Sequence, residues 1–482
     1  MKGPGRSYVA FAFLCSALAF GQEDLLQEDE QSVSFQRDVL PILRSSCQGC
    51  HQPAKAQGHV VLLNHGDLLL AVDGGEPCIV PGSPDASVLV DVITPLGDVP
   101  PEMPEDGPPL SEDQVELIRR WIAAGAPDDT PSSLRADPSG PPVYDRPPVV
   151  SSLDFSPTGE VLAVSGRGEV LLHRGDGGAI VERLVGLSER IESVAFSPDG
   201  MRLAVVGGSP SRVGELQVWD VQEKKLLLSK PVTFDTLQGV SWSPDGTKLA
   251  FGCKDNTLRA IDAASGVEIL YQGAHADWVL GTSFSSDASH LVSVGRDRSM
   301  KLVRVATQQF IDNITSITPG ALKGGLLSVA RHPNRDELLV GGADGAPKIF
   351  RMYREEKRVI GDDSNLIRAF DALPGRVFSV DWSPSGDWVV AGSSLHGSGE
   401  VRAYRVEDGE ALWSVTFDSG IYAVDVHPGG QRIAAAGFEG VVHLLDAADG
   451  HIVRDFLSVP LRSEDGAASE AVEASLPHQE DV

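Results

Sequence analysis

The sequence predicts a multidomain chain, a small all-α domain followed by an all-β ring of seven four-stranded units. Three observations carry that reading. A Ser-Pro-x-Gly type turn recurs seven times, starting at residues 156, 197, 243, 285, 332, 383 and 427. Over Phe35 to Leu43 and Val115 to Ile122, apolar residues instead recur at helical spacing. A stretch rich in Pro, Ser and Asp, 129–146, separates the two patterns and reads as a semi-extended linker that lets the first domain move.

Residues 1–21 read as a signal peptide. Lys2 and Arg6 give the positive start, Tyr8 to Phe20 is apolar apart from Ser16, and Ala19-Phe20-Gly21 offers small residues for cleavage. The apolar run is too short to span a bilayer, and Cys15 within it is discarded with the leader. An exported chain without a membrane span follows, in a periplasmic or equivalent compartment. The formal net charge of -28 excludes nucleic acid and anionic lipid as partners, since both repel an acidic surface. The region 22–146 holds 22 Asp and Glu against 7 Lys and Arg, and 22–32 is an acidic N-terminal segment.

Within 33–128, Phe35, Val39, Ile42 and Leu43 mark a first helix with Ser34 as N-cap, although Pro41 interrupts the pattern. The helix leads to Cys47-Gln48-Gly49-Cys50-His51. Two thiols three positions apart can each add to a haem vinyl group, and the following imidazole then lies below the iron. A zinc half-site would need a second ligand pair, and a thioredoxin-like pair would need a βαβ setting. His51 is the proximal ligand, and its other ring nitrogen is expected on a backbone carbonyl. Met103, in the proline-stiffened Val99-Pro100-Pro101-Glu102-Met103-Pro104, is the candidate distal ligand. The alternative is a methionine that only fills the pocket while His59 or His65 ligates. A closing helix starts with a Ser111–Gln114 capping box, buries Val115, Ile118, Trp121 and Ile122, and stops at Gly125 and Pro127. Cys78 and Cys253 read as lone buried thiols.

The order of Phe35-Gln-Arg-Asp-Val-Leu-Pro-Ile-Leu, Cys47-Gln-Gly-Cys-His-Gln-Pro, Gly75-Glu76, Val80-Pro-Gly-Ser-Pro, Met103-Pro and Pro109-Leu-Ser-Glu through Arg119-Arg-Trp-Ile resembles the planctomycete-type cytochrome c domain over nearly all of 33–128. The resemblance implies one covalent haem c, with Cys47 and Cys50 as thioether anchors, His51 proximal and Met103 distal, so that His51 and Met103 hold the iron. Cys78 departs from the family pattern, which has a small non-thiol residue there.

The repeat units occupy 147–461. In the second, Val194 and Phe196 end a first strand, Leu203 to Val206 form a second, Leu216 to Asp220 a third, and Leu226 to Leu228 open the outer one. No unit can bury both faces alone, so seven close into a ring. The region resembles WD40 repeats, with Trp219-Asp220 the one full signature. Its histidines show no metal-ligand spacing, Asp199 and Asp245 are turn formers, and His332 and His427 share one structural repeat position. No catalytic site of its own is expected. Lengthened loops at Gly207 to Gly214 and Ser393 to Gly399 would enlarge one face. The insertion Tyr353 to Asp371, with Arg354, Lys357, Arg358 and Arg368, is locally basic and reads as a solvated outer edge, the alternative being a dock for an acidic partner such as the chain's own haem domain. Residues 462–482 read as a disordered acidic tail.

Together these features point to an exported c-type cytochrome that transfers single electrons and uses its ring to dock a redox partner or another protein. The alternative is a haem-containing scaffold or sensor whose main role is protein interaction.

Overall fold

The computed structural model describes residues 33–462 apart from 53–54, 57–59, 63, 71, 73–74, 98, 106, 131–140, 274, 317–322 and 360–362. The expected signal peptide, acidic segment and tail, together with His59 and the middle of the linker, lie outside the described residues. No helix among those described is long and apolar enough to cross a membrane.

Seven antiparallel sheets, each of four strands consecutive in sequence, form the ring. Their first strands lie against one another around the axis. Blade two realises the predicted strands as Arg190–Phe196, Arg202–Ser209, Val213–Asp220 and Lys225–Thr233. Second strands are buried almost throughout, as in Leu203 to Ser209, because both sheet faces pack on neighbouring blades. The recurrent turns nest into one another. At Gly159 (φ 74°) and Gly386 (φ 78°) a Cβ would lie 2.1 Å from Nε2 of His427 and His332 respectively. A glycine here supplies the left-handed backbone and leaves room for the preceding blade's imidazole. His332 and His427 thus have the structural role their shared repeat position implies.

The stretches 207–214 and 393–399 are not loops. Gly207 pairs with Glu215 and Ser209 with Val213 in blade two, and Ser394 pairs with Gly399 in blade six. Residues added equally to both arms of a hairpin continue its ladder, so these two blades are taller instead of looser.

Blade seven closes on its own four strands, Ile421–Val426 to Ile452–Leu457. The ring is joined to blade one by side-chain and flank contacts. Val150 N–H donates to Gly437 O at 2.9 Å, Tyr144 pairs in parallel with Leu461, and His173 Nε2 meets Ser458 O at 2.9 Å. Three inner-strand carboxylates staple successive blades. Asp381 accepts from Val426 N (2.8 Å), Asp425 from Phe155 N (2.7 Å) and Asp154 from Phe196 N (2.6 Å).

Burial raises all three carboxylates above their ordinary range. The like charge of Asp381 adds to the rise at Asp154, and those of Asp154 and Asp381 add to it at Asp425. The folded ring therefore keeps protons that the unfolded chain releases above 3.8, and stability falls as pH rises through the folded values. His173 runs the other way. Burial lowers it from 6.5 to about 4, so its contribution is complete above 6.5 and is lost as pH falls toward 4. The melting temperature should drop as pH rises from about 4 to about 7, with His173 offsetting only part of the fall from three carboxylates, and Asp381→Asn, which keeps the acceptor for Val426, should flatten that drop. An unchanged slope in the variant would remove the carboxylates as its cause.

The N-terminal region is helical only in part. A π-helical turn, Phe35–Val39, runs into α1 (Leu40–Ser46), and α2 (Val88–Ile93) and α3 (Glu112–Ala123) follow. The remainder is turn and extended chain, with a short antiparallel ribbon of His51–Gln52 and Lys55–Ala56. Ser34 caps the first turn through Arg37 N, and both halves of the Ser111–Gln114 capping box form. Pro41 sits within the first turn of α1, where its missing N–H costs no helical bond. One apolar core, including Phe35, Leu43, Ile79, Ile118, Trp121 and Ile122, joins the helices.

Candidate functional site

Cys47 is the C-cap of α1, and its carbonyl accepts from Cys50 N and His51 N, both at 3.1 Å. The five residues Cys47 to His51 thus form a closed turn at the helix end. Gln48 is buried and donates Nε2–H to Leu62 O at 2.6 Å, while Gln52 Nε2 bonds back to Gln48 O at 3.1 Å. Cys47 packs on the same apolar core as Met103 and the buried Cys78. Burial, then the neighbouring thiols of Cys78 and Cys50, push Cys47 up to about 12, and burial pushes Cys78 up to about 11. These thiols are therefore protonated at neutral pH in the folded chain.

His51 Nδ1 is buried and has no hydrogen-bond partner, where a backbone carbonyl was expected. A buried polar atom left unmatched costs about 1–3 kcal/mol, so the imidazole here is held at a cost that the chain itself does not offset. Met103 is half-buried, and its N–H donates to Val92 O at 2.9 Å, which fixes its backbone at the edge of the core. His65 is otherwise engaged. Its Nε2 is 2.7 Å from Ala126 O, and its ring stands edge-on to Phe35 and Trp121. Trp121 stacks on Phe35 with centroids 5.4 Å apart and donates to Pro127 O, consistent with core packing. Cys253 is buried inside the ring's apolar interior and Cys78 in the N-terminal core, so the two lie in separate cores.

The ring holds a constellation that histidine spacing does not signal. His275 Nε2 is 2.8 Å from Ser293 Oγ, and His275 Nδ1 is 3.0 Å from Asp297 Oδ1. Serine, imidazole and carboxylate in this order have the geometry of an acyl-transfer triad. Ser293, however, is 0 % exposed and the His275 side chain likewise, so no substrate atom can reach the hydroxyl. Asp297 also accepts from Ala276 N and Ser299 N. Burial alone would raise Asp297, but the bond and charge of His275 hold it well below the usual carboxylate range. The group is a brace that ties the segment before blade four to its central hairpin. His275→Ala should lower stability by about 1–3 kcal/mol in a thermal melt, through the buried partners it leaves unmatched. A melt unchanged by the substitution would contradict the brace.

The insertion around Tyr353 is not an open basic patch. Arg354 and Arg358 both bind Asp312 on the outer strand of blade four, at 2.9 and 2.8 Å, and Arg368 donates to Glu407 O. Two of the four cations are thus neutralised within the ring, Arg368 meets only a backbone carbonyl, and Lys357 stays exposed, so the insertion presents less free positive charge than its sequence suggests. The inner mouth of the ring is a cavity of about 490 Å³ lined by Ser152, Ser193, Gln238, Phe378, Ser379 and Tyr422 among others. Its serines are occupied: Ser152, Ser193 and Ser379 accept from Val194 N, Val240 N and Val424 N of the next blades.

Residues 47–107 match the family model of Planctomycete cytochrome C, and 232–262, 267–303 and 365–402 match WD domain, G-beta repeat. Among similar proteins are the WD repeat-containing protein 91 homolog of Dictyostelium discoideum, 34% identical over 42% of this chain and 26% of its own length, and Periodic tryptophan protein 2 of Arabidopsis thaliana, 22% identical over 50% and 25%. Eukaryotic translation initiation factor 3 subunit I of Candida glabrata is 24% identical over 45% of this chain and 66% of its own length. The chain thus spans about a quarter of the first two relatives, and 21–34% identity over repeats speaks for the ring alone. The chain is similar to planctomycete cytochrome C in its N-terminal domain, and beyond it forms a seven-bladed propeller similar to WD-repeat proteins.

Proposed function

We propose that the protein is an exported c-type cytochrome with one covalently bound haem c, whose propeller docks its protein partners. The observation that carries the reading is the Cys47–His51 turn at the end of α1, with Cys47 packed on the same core that Met103 lines. The donor set fits the group. Cys47 and Cys50 supply two thiols for thioether bonds, His51 an imidazole for the iron, and Met103 a thioether on the same core. When bound, haem supplies a one-electron couple, and a methionine partner for histidine raises its potential.

The remaining work falls to the chain. Burial favours the neutral thiol of Cys47 in the folded chain. The Phe35, Trp121 and Ile118 core excludes water from one side of the site. His65, bound to Ala126 O, is held away from ligation. The propeller supplies a broad rigid scaffold for protein contacts, as WD-repeat rings in general do. The expected compartment is the periplasm or its equivalent, reached by the 1–21 leader.

The experiment is an optical spectrum of exported protein with and without Met103→Ala. The reading expects a reversible ferric–ferrous couple, and loss of the weak long-wavelength sulfur-to-iron band in the variant. An unchanged band would remove Met103 as ligand. Carbon monoxide binding to the unmodified protein would favour the sensor reading instead.

A further inference from the structure

The N-terminal domain rests on one particular blade. α1 contacts the outer strand of blade two, Lys225–Thr233, which at nine residues is the longest strand described. Gly49, between the two cysteines and next to Cys50, approaches this strand closely. A Cβ there would lie 2.6 Å from Ser229 O and 3.7 Å from Pro231 Cδ. Contacts under 3 Å to a backbone oxygen do not occur without movement, so only glycine permits this approach. The carbonyl it meets cannot easily yield. Ser229 is laddered to Gln217, and its hydroxyl is bound to the buried Glu215, which also accepts from Ser188 Oγ and Gln217 Nε2. Above this contact Arg44 of α1 is lowered by burial and by the like charge of Arg212, against the attraction of Glu189. Arg212 and Glu189 belong to the taller hairpin of blade two and the loop before it, and they pair at 3.6 Å.

Both ends of the linker are also fastened. Gln36 holds Asp129 and Thr130 through its N–H (3.0 Å) and Nε2 (2.8 Å), and Tyr144 Oη donates to Glu169 at 2.7 Å. The geometry points to blade two as a built-in dock for the Cys47–His51 turn, so that the N-terminal domain and the ring form one rigid body. Gly49 is the residue that permits the contact, and the added height of blade two provides the surface. A mobile tethered domain, as the linker composition suggests, would leave Gly49 free of any neighbour. The dock itself does not require haem. Its consequence rests on the reading above: a redox partner meets the haem domain and blade two as a single composite surface.

The test uses the full mature chain, prepared with and without haem. Small-angle scattering of the unmodified protein should describe one rigid particle, and amide exchange should show protection in 44–50 and 225–233. Gly49→Val should raise exchange in both segments by about tenfold or more while the rest of the ring stays protected. It should also broaden the scattering into two moving bodies, with Gly49→Ala intermediate. Amide protection within α3, Glu112–Ala123, reports whether the N-terminal domain is still folded. The dock is overturned if the unmodified chain already scatters as two independent bodies, or if a folded Gly49→Val chain exchanges like the parent. Haem content of the same samples separates the two ideas, because a docked colourless chain sinks the haem reading alone, and a haem-loaded undocked chain sinks the dock alone.

Discussion

Exported protein with both Cys47 and Cys50 changed to alanine should release all its haem into acidified acetone, whereas the parent should release none. In the proposed attachment each thiol would add across one vinyl group. The sulfur–carbon bond would form as the double bond becomes single, with the thiol hydrogen ending on the terminal carbon, so no oxidant would be needed. A single substitution should leave one thioether, and the pyridine haemochrome band should shift partway toward that of unattached haem. The ring should be unaffected, because the N-terminal core and the blade cores contain different residues. A double variant that keeps acid-stable haem would mean that the group is held elsewhere.

Arg183→Ala should destabilise the propeller by about 3–5 kcal/mol, the cost of leaving a buried charge without its partner. Glu169 in blade one is 0 % exposed, and both of its oxygens are taken by Arg183 and Tyr144, with Arg183 Nε at 2.8 Å and Tyr144 Oη at 2.7 Å. Arg183 also donates to Pro142 O at 2.6 Å. The network therefore ties blade one to the flank that pairs with Leu461 at the other end of the ring. Calorimetry should show an earlier transition, and Glu169→Leu with Arg183→Leu should recover much of the loss, since matched apolar replacements remove both charges. A loss of under about 1 kcal/mol, the size of an exposed pair, would contradict the buried assignment.

What could be read in advance depended on how local the physics was. The seven turns, the strands of blade two and the two helix caps are written in residues within about a dozen positions of one another, and they appear where periodicity and capping place them. The C-x-x-C-H turn was legible for the same reason. Partners far apart in sequence were not. Nothing near Asp425 announces that it will hold Phe155 N, because ring closure alone brings them together. The cations around Tyr353 looked free because Asp312 lies more than forty residues earlier. His275, Ser293 and Asp297 are ordinary residues until the hairpin of blade four folds back over them. Glycine at position 49 gave no signal, since the residue that requires it is Ser229.

Covalent haem is tested most directly by the intact mass of the purified, exported chain made alongside a working cytochrome-maturation system. The expected result is the mature polypeptide plus the mass of one haem, retained after denaturation and lost only when Cys47 and Cys50 are both replaced. Mature chain at the bare polypeptide mass, with no haemochrome band, would contradict it.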